Sequence, residues 1–387
     1  MMVVEHLINQ RVRDIQVSGI RKFANLVANV PGAISLTLGQ PDFPTPEHIK
    51  ERAQLAIQAD KTTYTHNAGL LELRQAASAF LDSKYGLSYD AATEVIVTNG
   101  ASEAIDITLR TILEEGAEVI LPAPVYPGYE PVIRLCGAKV VHVDTRATSF
   151  KVTAEQIAAV LTEKTRCLIL PYPSNPTGCV LTVEEVREIA NLVRDRDLFV
   201  ISDEIYAELL YGGEHVSIAN EPGMREKTIV IGGLSKSHSM TGWRIGFTFA
   251  PAALSQHLLK VHQYNTTCAS SISQHAALEA LTVGIDDAAP MRAEYQKRRD
   301  YVYERLVAIG FDVVKPDGAF YLFPSIAKWG MSSLEFATTL LERGKVAVVP
   351  GDAFSAYGEG YVRISYATSM DALEEALNRI EMFVKNL

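Results

Sequence analysis

Several short segments of this sequence place a chemically useful side chain among small or apolar neighbours. In Gly232–Gly246 a single lysine, Lys236, is crowded by Gly, Ser and Thr residues, and Arg244 follows eight positions later. A crowded, partly desolvated setting favours a neutral amine, which imine formation with a carbonyl requires. The planar donor fork of a nearby arginine suits a phosphate. Asp203-Glu204-Ile205-Tyr206 puts a carboxylate after the apolar run Leu198–Ser202, at the end of a strand where ligands of open α/β sheets gather. In Thr98–Glu103, small residues at a helix start expose backbone N–H groups that can hold a phosphate. Tyr126, within Pro124–Tyr129, is an aromatic ring able to stack on a flat ligand and exclude water. Arg363 is the lone charge in the apolar stretch Tyr361–Ser365, a costly placement unless it meets an anion. Taken singly, each has an ordinary reading: a surface lysine in a glycine-rich turn, an acidic turn residue, a buried structural tyrosine, and, at Pro171–Gly178, a proline-rich turn.

Taken together, in this order and spacing, the segments resemble the class I/II aminotransferases of the aspartate aminotransferase superfamily, from about Ser18 to Ser365. The resemblance implies a pyridoxal phosphate (PLP) enzyme moving an amino group between an amino acid and a 2-oxo acid by a ping-pong mechanism. It assigns Lys236 as the PLP-bearing lysine and as general base and acid. Asp203 would pair with the pyridine nitrogen and keep the ring an electron sink. Tyr206 and Asn175, the latter in Asn175-Pro176-Thr177-Gly178, would donate to the phenolic oxygen, and the Asn175–Pro176 bond is a candidate cis peptide. Gly100, Ala101, Ser102, Ser235 and Arg244 would cradle the phosphate, and Tyr126 would stack on the pyridine ring. Arg363 would form a bidentate pair with the substrate α-carboxylate, with Gly39 of Leu38–Phe43 and Asn175 beside it. Tyr64, in Tyr64–Gly69, would reach the cofactor phosphate across the interface of a homodimer with shared active sites; His66 of that loop stands where proline is commoner.

Within the family the sequence is most similar to the N-acetyl-LL-diaminopimelate aminotransferase or "aminotransferase A" subgroup of Bacillus-like bacteria. That implies N-acetyl-LL-2,6-diaminopimelate as a candidate donor and 2-oxoglutarate as acceptor. Arg21, on an N-terminal arm, is either a contact for the distal carboxylate of a dicarboxylic substrate or a solvated basic residue. Aspartate or aromatic amino acids are alternative substrates, and a carbon–sulfur β-lyase is an alternative reaction on the same fold. A ligand-sensing regulator on the same domain would need a DNA-binding module, which the acidic balance disfavours.

The elements that must hold these residues can be read from hydrophobic pattern. Val95–Thr98, Val119–Leu121, Val140–Val143, Cys167–Leu170, Leu198–Ser202, Thr228–Ile231 and Ile245–Phe249 are apolar at nearly every position. Strands of that kind are covered on both faces, as in a mostly parallel sheet. Helices fit between them: Thr182 with Glu185, and Thr153 with Gln156, have the capping-box spacing ahead of helical apolar periods. The expected architecture is α/β, a fold-type I PLP-dependent transferase with a mostly parallel seven-stranded sheet in a large domain spanning 45–285. Residues 1–44 and 286–387 are expected to form an N-terminal arm plus a smaller α+β domain. There a charged helix from Met291 to about Ile309 precedes strands at Phe311–Val314, Ala319–Phe323 and Val346–Val349.

Bulk composition narrows the partners. A chain of 387 residues with 48% hydrophobic residues can build more than one core. A formal net charge of −10 repels phosphate backbones, so nucleic acid is not an expected partner. The four cysteines lie far apart with no CxxC pair, which suits a reducing, cytoplasmic setting and neither a disulfide framework nor a metal site. No signal peptide or membrane-spanning run is apparent.

Overall fold

The computed structural model describes residues 4–17, 19–27 and 30–387. Its strands are β1 (Ile34–Ser35), β2 (Val95–Thr98), β3 (Glu118–Ala123), β4 (Lys139–Asp144), β5 (Thr165–Leu170), β6 (Phe199–Asp203), β7 (Thr228–Gly233), β8 (Gly246–Phe249), β9 (Tyr321–Leu322), β10 (Val346–Ala347), β11 (Val349–Pro350) and β12 (Val362–Ser365). All seven long apolar runs are strands of one sheet, in the order β2-β8-β7-β6-β5-β3-β4. β8 runs antiparallel to β2 and β7, and every other pairing in the sheet is parallel. Burial of the inner strands explains their continuous apolar patterns, since helices cover both faces; the edge strand β4 is only partly buried and begins with the exposed Lys139.

One core packs Val97, Val230, Phe247 and Phe249 of the sheet against helices Glu47–Gln58, Leu71–Tyr85 and Ser271–Thr282. Another sets Ile96, Val119, Ile169, Ile201 and Ile231 against Ala101–Ile112 and Ala252–Thr266. Both capping boxes form. Thr182 Oγ1 accepts the Glu185 N–H at 3.2 Å while Glu185 Oε2 accepts the Thr182 N–H at 2.7 Å, starting the helix Val183–Val193. Thr153 and Gln156 do the same ahead of Ala154–Val160.

A separate core gathers the C-terminal elements, where Val346, Ile364 and Tyr321 meet Leu373, Leu377 and Ile380 of the helix Met370–Lys385. Here the strands are shorter than their sequence patterns suggest. Phe311–Val314 is no strand; Asp312 makes one isolated bridge to Ser325, because Pro316 and Pro324 lack the N–H groups that would extend the ladder. Phe311 instead packs on Trp329 with ring centroids 4.5 Å apart. Ala319–Phe323 pairs only at Tyr321–Leu322, since Ala319 takes a left-handed φ of 56° that breaks the extended run. Val346–Val349 changes partner midway: β10 pairs in parallel with β1, while β11 pairs antiparallel with β12. The charged helix runs Ala288–Ile309. No helix among the described residues is long and apolar enough to cross a membrane.

Candidate active site

The carboxyl ends of β2, β3, β5, β6 and β7 open onto one cavity of about 440 Å³, closed from the far side by Leu38–Gln40, Tyr321 and Arg363. That is the edge at which an open α/β sheet presents loops and helix N-termini together. Of the fourteen residues singled out above, the cavity is lined by Gly39, Ala101, Ser102, Tyr126, Asn175, Asp203, Tyr206, Ser235, Lys236, Arg244 and Arg363. Gly100 lies directly behind it.

Lys236 leaves the end of β7, and its Nζ donates to the Gly39 carbonyl at 2.5 Å. Burial lowers its amine from 10.5 to about 8, and the positive charges of Arg363 and Arg244 add to the effect against the pull of Asp203. Such an amine is still mostly protonated near physiological pH but has a far larger neutral fraction than an ordinary lysine, and that fraction is available as a nucleophile or base.

Asp203 ends β6, fully buried. Burial pushes its carboxyl up, while the Tyr129 hydroxyl, donating to Oδ2 at 2.6 Å, and the Ile205 N–H, donating to Oδ1 at 3.3 Å, favour the carboxylate. The hydroxyls of Tyr206 and Tyr321 lie 2.9 Å apart. Tyr126 stands edge-on to Tyr129, with centroids 5.6 Å apart, and lines the cavity.

Arg363 is the most unusual residue of the site. It is 1% exposed and has no carboxylate in ion-pair contact among the described residues. Nη1 donates to Asn175 Oδ1 at 2.9 Å, Nη2 to the Thr37 carbonyl at 2.7 Å, and the buried Nε has no partner. Tyr321 and Phe354 flank the guanidinium at 4.4 and 5.0 Å from their ring centroids. An unneutralised, incompletely bonded guanidinium in a cavity wall can receive a carboxylate. Because Asn175 spends its oxygen on Arg363, its amide N–H₂ is left as the donor for a ligand. The Asn175–Pro176 bond is cis.

At the other end of the cavity, Gly100 caps the helix Ala101–Ile112 with φ 80° and ψ 166° and no side-chain cap; the Glu103 N–H turns back to the Gly100 carbonyl at 3.1 Å, and the Ala101 and Ser102 N–H groups are left for a ligand. The Arg244 guanidinium lies against this turn; a Cβ at Gly100 would stand 2.4 Å from its Nη2, and one at Gly246 would stand 2.4 Å from the Gly100 carbonyl carbon. Glycine at both positions keeps open a cradle of helix amides and a cation. Ser235 is buried beside it. A phosphate cradle, a lysine amine, a buried carboxylate and a free guanidinium in one cavity fit pyridoxal phosphate and an amino acid's carboxylate.

Two expected residues lie elsewhere. Tyr64 is 84% exposed and does not line the cavity of its own chain. The Arg21 side chain lies outside the described residues. In the Tyr64–Gly69 loop, His66 closes a turn by accepting the Ala68 N–H on Nδ1 at 3.1 Å. Tyr129, Tyr321 and Thr241 also line the cavity and were not singled out from sequence. Tyr129 lies three residues after Tyr126 in the same segment, so that signal was present; Tyr321 sits in an apolar run with nothing to mark it.

Fold and site together define an α/β enzyme built around an amine-reactive, phosphorylated cofactor. The chain matches the family "Aminotransferase class I and II" over residues 31–380 and belongs to it. Members of that family depend on PLP, and the chain is a PLP-dependent aminotransferase. It is 60% identical to a probable N-acetyl-LL-diaminopimelate aminotransferase of Bacillus subtilis, over 98% of this chain and 96% of that protein. It is 42% identical to aromatic-amino-acid aminotransferase 2 of Thermococcus litoralis, covering 98% of each chain. Among solved structures, the aromatic aminotransferase from Pyrococcus horikoshii superposes with a TM-score of 0.90 at 43% identity, covering 95% of this chain and 99% of that one. The aspartate aminotransferase from Thermus thermophilus with maleate gives 0.91 at 36% identity, covering 97% and 99%.

Proposed function

We propose that this aminotransferase takes the amino group of N-acetyl-LL-2,6-diaminopimelate and passes it to 2-oxoglutarate. The substrate reading is supported by the 60% identity to the Bacillus subtilis relative of that name. The observation that carries the site assignment is the buried Arg363, lacking a carboxylate partner, in the same cavity as a lysine amine lowered to about 8.

Bound through Lys236, PLP supplies the electron sink that stabilises negative charge at the substrate Cα. Gly100, Ala101, Ser102, Ser235 and Arg244 hold its phosphate, Asp203 its ring nitrogen, Asn175 and Tyr206 its phenolic oxygen, and Tyr126 its face. Arg363, with Gly39 and Asn175 beside it, binds the α-carboxylate and so aims the Cα–H bond at Lys236 Nζ. Lys236 Nζ, freed when the substrate amine takes its place, would accept the Cα proton as a base and carry it as an ammonium. The buried tyrosines Tyr129, Tyr206 and Tyr321 keep water from this proton. Product 2-oxo acid leaves before the second oxo acid enters.

Tyr64, exposed on its own chain, serves the phosphate of a partner in a homodimer with shared active sites. Ile20 lines the cavity, and its neighbour Arg21 is assigned the distal carboxylate. Residues 45–285 form the PLP-binding domain, and 1–44 with 286–387 the arm and small domain; the C-terminal core, built mostly from 286–387 with Tyr206, Leu209 and Tyr211 joining it, supports that division. Four unpaired cysteines suit a cytoplasmic enzyme. A screen of amino donors, followed by loss of the cofactor's visible absorbance, tests the substrate. Acetylated diaminopimelate should give the highest rate at limiting concentration, ahead of aspartate, glutamate, lysine and the aromatics; preference for aspartate or an aromatic amino acid would refute it.

A further inference from the structure

Behind the phosphate cradle lies a buried ion pair that none of the roles above uses. Glu103 is in the first turn of the helix Ala101–Ile112, and its Oε2 accepts the Asn99 N–H at 2.5 Å. Its Oε1 accepts the Thr266 hydroxyl at 3.0 Å and faces His262 Nδ1 at 2.8 Å. The His262 side chain is fully buried, and its Nε2 lies 2.9 Å from the Asn67 carbonyl. A carbonyl can only accept, so Nε2 bears a proton. Burial pushes the Glu103 carboxyl up, but the bonds from His262 and Asn99 outweigh it and hold the group below its usual range. A carboxylate facing Nδ1 accepts a hydrogen bond from it, so the hydrogen-bond geometry places a proton on each ring nitrogen.

The pair is placed to act on the cradle in two ways. Asn99 precedes Gly100, and it is gripped on both sides: its N–H by Glu103 and its carbonyl by Arg244 Nη2 at 3.3 Å. The orientation of the peptide units that open the cradle is thereby set. The second effect is electrostatic. A lone carboxylate just behind a phosphate site, in a low-dielectric interior, would repel the dianion; the imidazolium cancels it. The same cation holds Asn67 of the loop that carries Tyr64.

We infer that Glu103 and His262 are positioning residues for the phosphate end of the cofactor, acting through the Asn99–Gly100 backbone and through mutual neutralisation. The inference rests on the cradle assigned above.

Affinities of the resolved apoenzyme for PLP and for pyridoxal, which lacks the phosphate, test it. His262→Gln should raise the Kd for PLP about 10-fold and shift that for pyridoxal by less than about twofold. Adding Glu103→Gln, which removes the uncompensated charge, should restore most of the lost PLP affinity. Equal weakening of both ligands would reduce the pair to a structural role and overturn the inference, as would no change in either. Arg244→Gln serves as the control: if it fails to discriminate PLP from pyridoxal, the cradle itself is wrong and the inference falls with it. Should His262→Gln not fold, ¹⁵N-histidine spectra of the unaltered enzyme remain decisive. Both ring nitrogens of His262 should show attached protons, and a neutral tautomer would overturn the inference.

Discussion

Replacing Arg363 by methionine separates what the guanidinium does for the substrate from what it does for the fold. Arg363 is buried without a carboxylate partner, and its Nε is unbonded. Desolvating such a charge costs several kcal/mol (about 3–5 is lost when a buried ion is left uncompensated). Methionine removes that cost but strands Asn175 Oδ1 and the Thr37 carbonyl, at about 1–3 kcal/mol each. The two contributions oppose each other and are of similar size, so the midpoint of unfolding should move little. Catalysis should not escape so lightly. Two charge-assisted bonds to the α-carboxylate, at about 1.5–3 kcal/mol each, amount to roughly 3–6 kcal/mol. At about 1.36 kcal/mol per decade, kcat/KM for an amino acid should fall by roughly 10²–10⁴. The assay is the half-reaction with an amino acid and with the matching amine that lacks the carboxylate, alongside urea unfolding of both proteins. For the amine, the variant and the unaltered enzyme should react at similar rates. An equal loss with both substrates, or unchanged kcat/KM with the amino acid, would refute the assignment of Arg363 as the carboxylate receptor.

Three further outcomes follow from particular residues. The folded amine of Lys236 titrates near 8 and the unfolded one near 10.5, so between those values the unfolded chain binds more protons and stability rises with pH. Apoenzyme should therefore gain stability relative to Lys236→Met as pH rises from about 8 to about 10.5; a gap that stays constant over that window contradicts the lowered value. Gly100→Ala places a Cβ at φ 80° and against Arg244, which should cost about 1–2 kcal/mol in denaturant unfolding and weaken PLP binding together. Unaltered PLP affinity would show that the cradle lies elsewhere. Thr182→Ala removes one half of a capping box that does not line the cavity, and should cost about 1 kcal/mol in stability while kcat is unchanged.

Much of this was legible in the chain. The seven strands of the main sheet were readable because burial on both faces imposes an unbroken apolar run, as in Cys167–Leu170 and Thr228–Ile231. Lys236, Asp203, Asn175 and Arg363 were readable because their neighbours are as constrained as they are: small residues around the lysine, prolines around the asparagine, apolar residues around the arginine. Where partners are distant in sequence, legibility ends. Glu103 and His262 meet across 159 positions, and nothing near either residue signals the other. Tyr321 lines the cavity from a two-residue strand, where the sequence suggested a longer one ending at Phe323. The Phe311–Val314 run misled in a different way: Phe311 is apolar because it packs on Trp329, not because it pairs in a sheet. Tyr64 is exposed on a single chain, so the role proposed for it requires a second copy.

The claim on which the account turns is that the cofactor is carried by the amine at position 236. Reduction of the holoenzyme with borohydride, followed by digestion and mass spectrometry, reads that attachment directly. A single pyridoxyl adduct on the peptide containing Lys236 is the predicted result, lost in Lys236→Ala. An adduct on another lysine, or a protein that binds PLP and yields none, contradicts it.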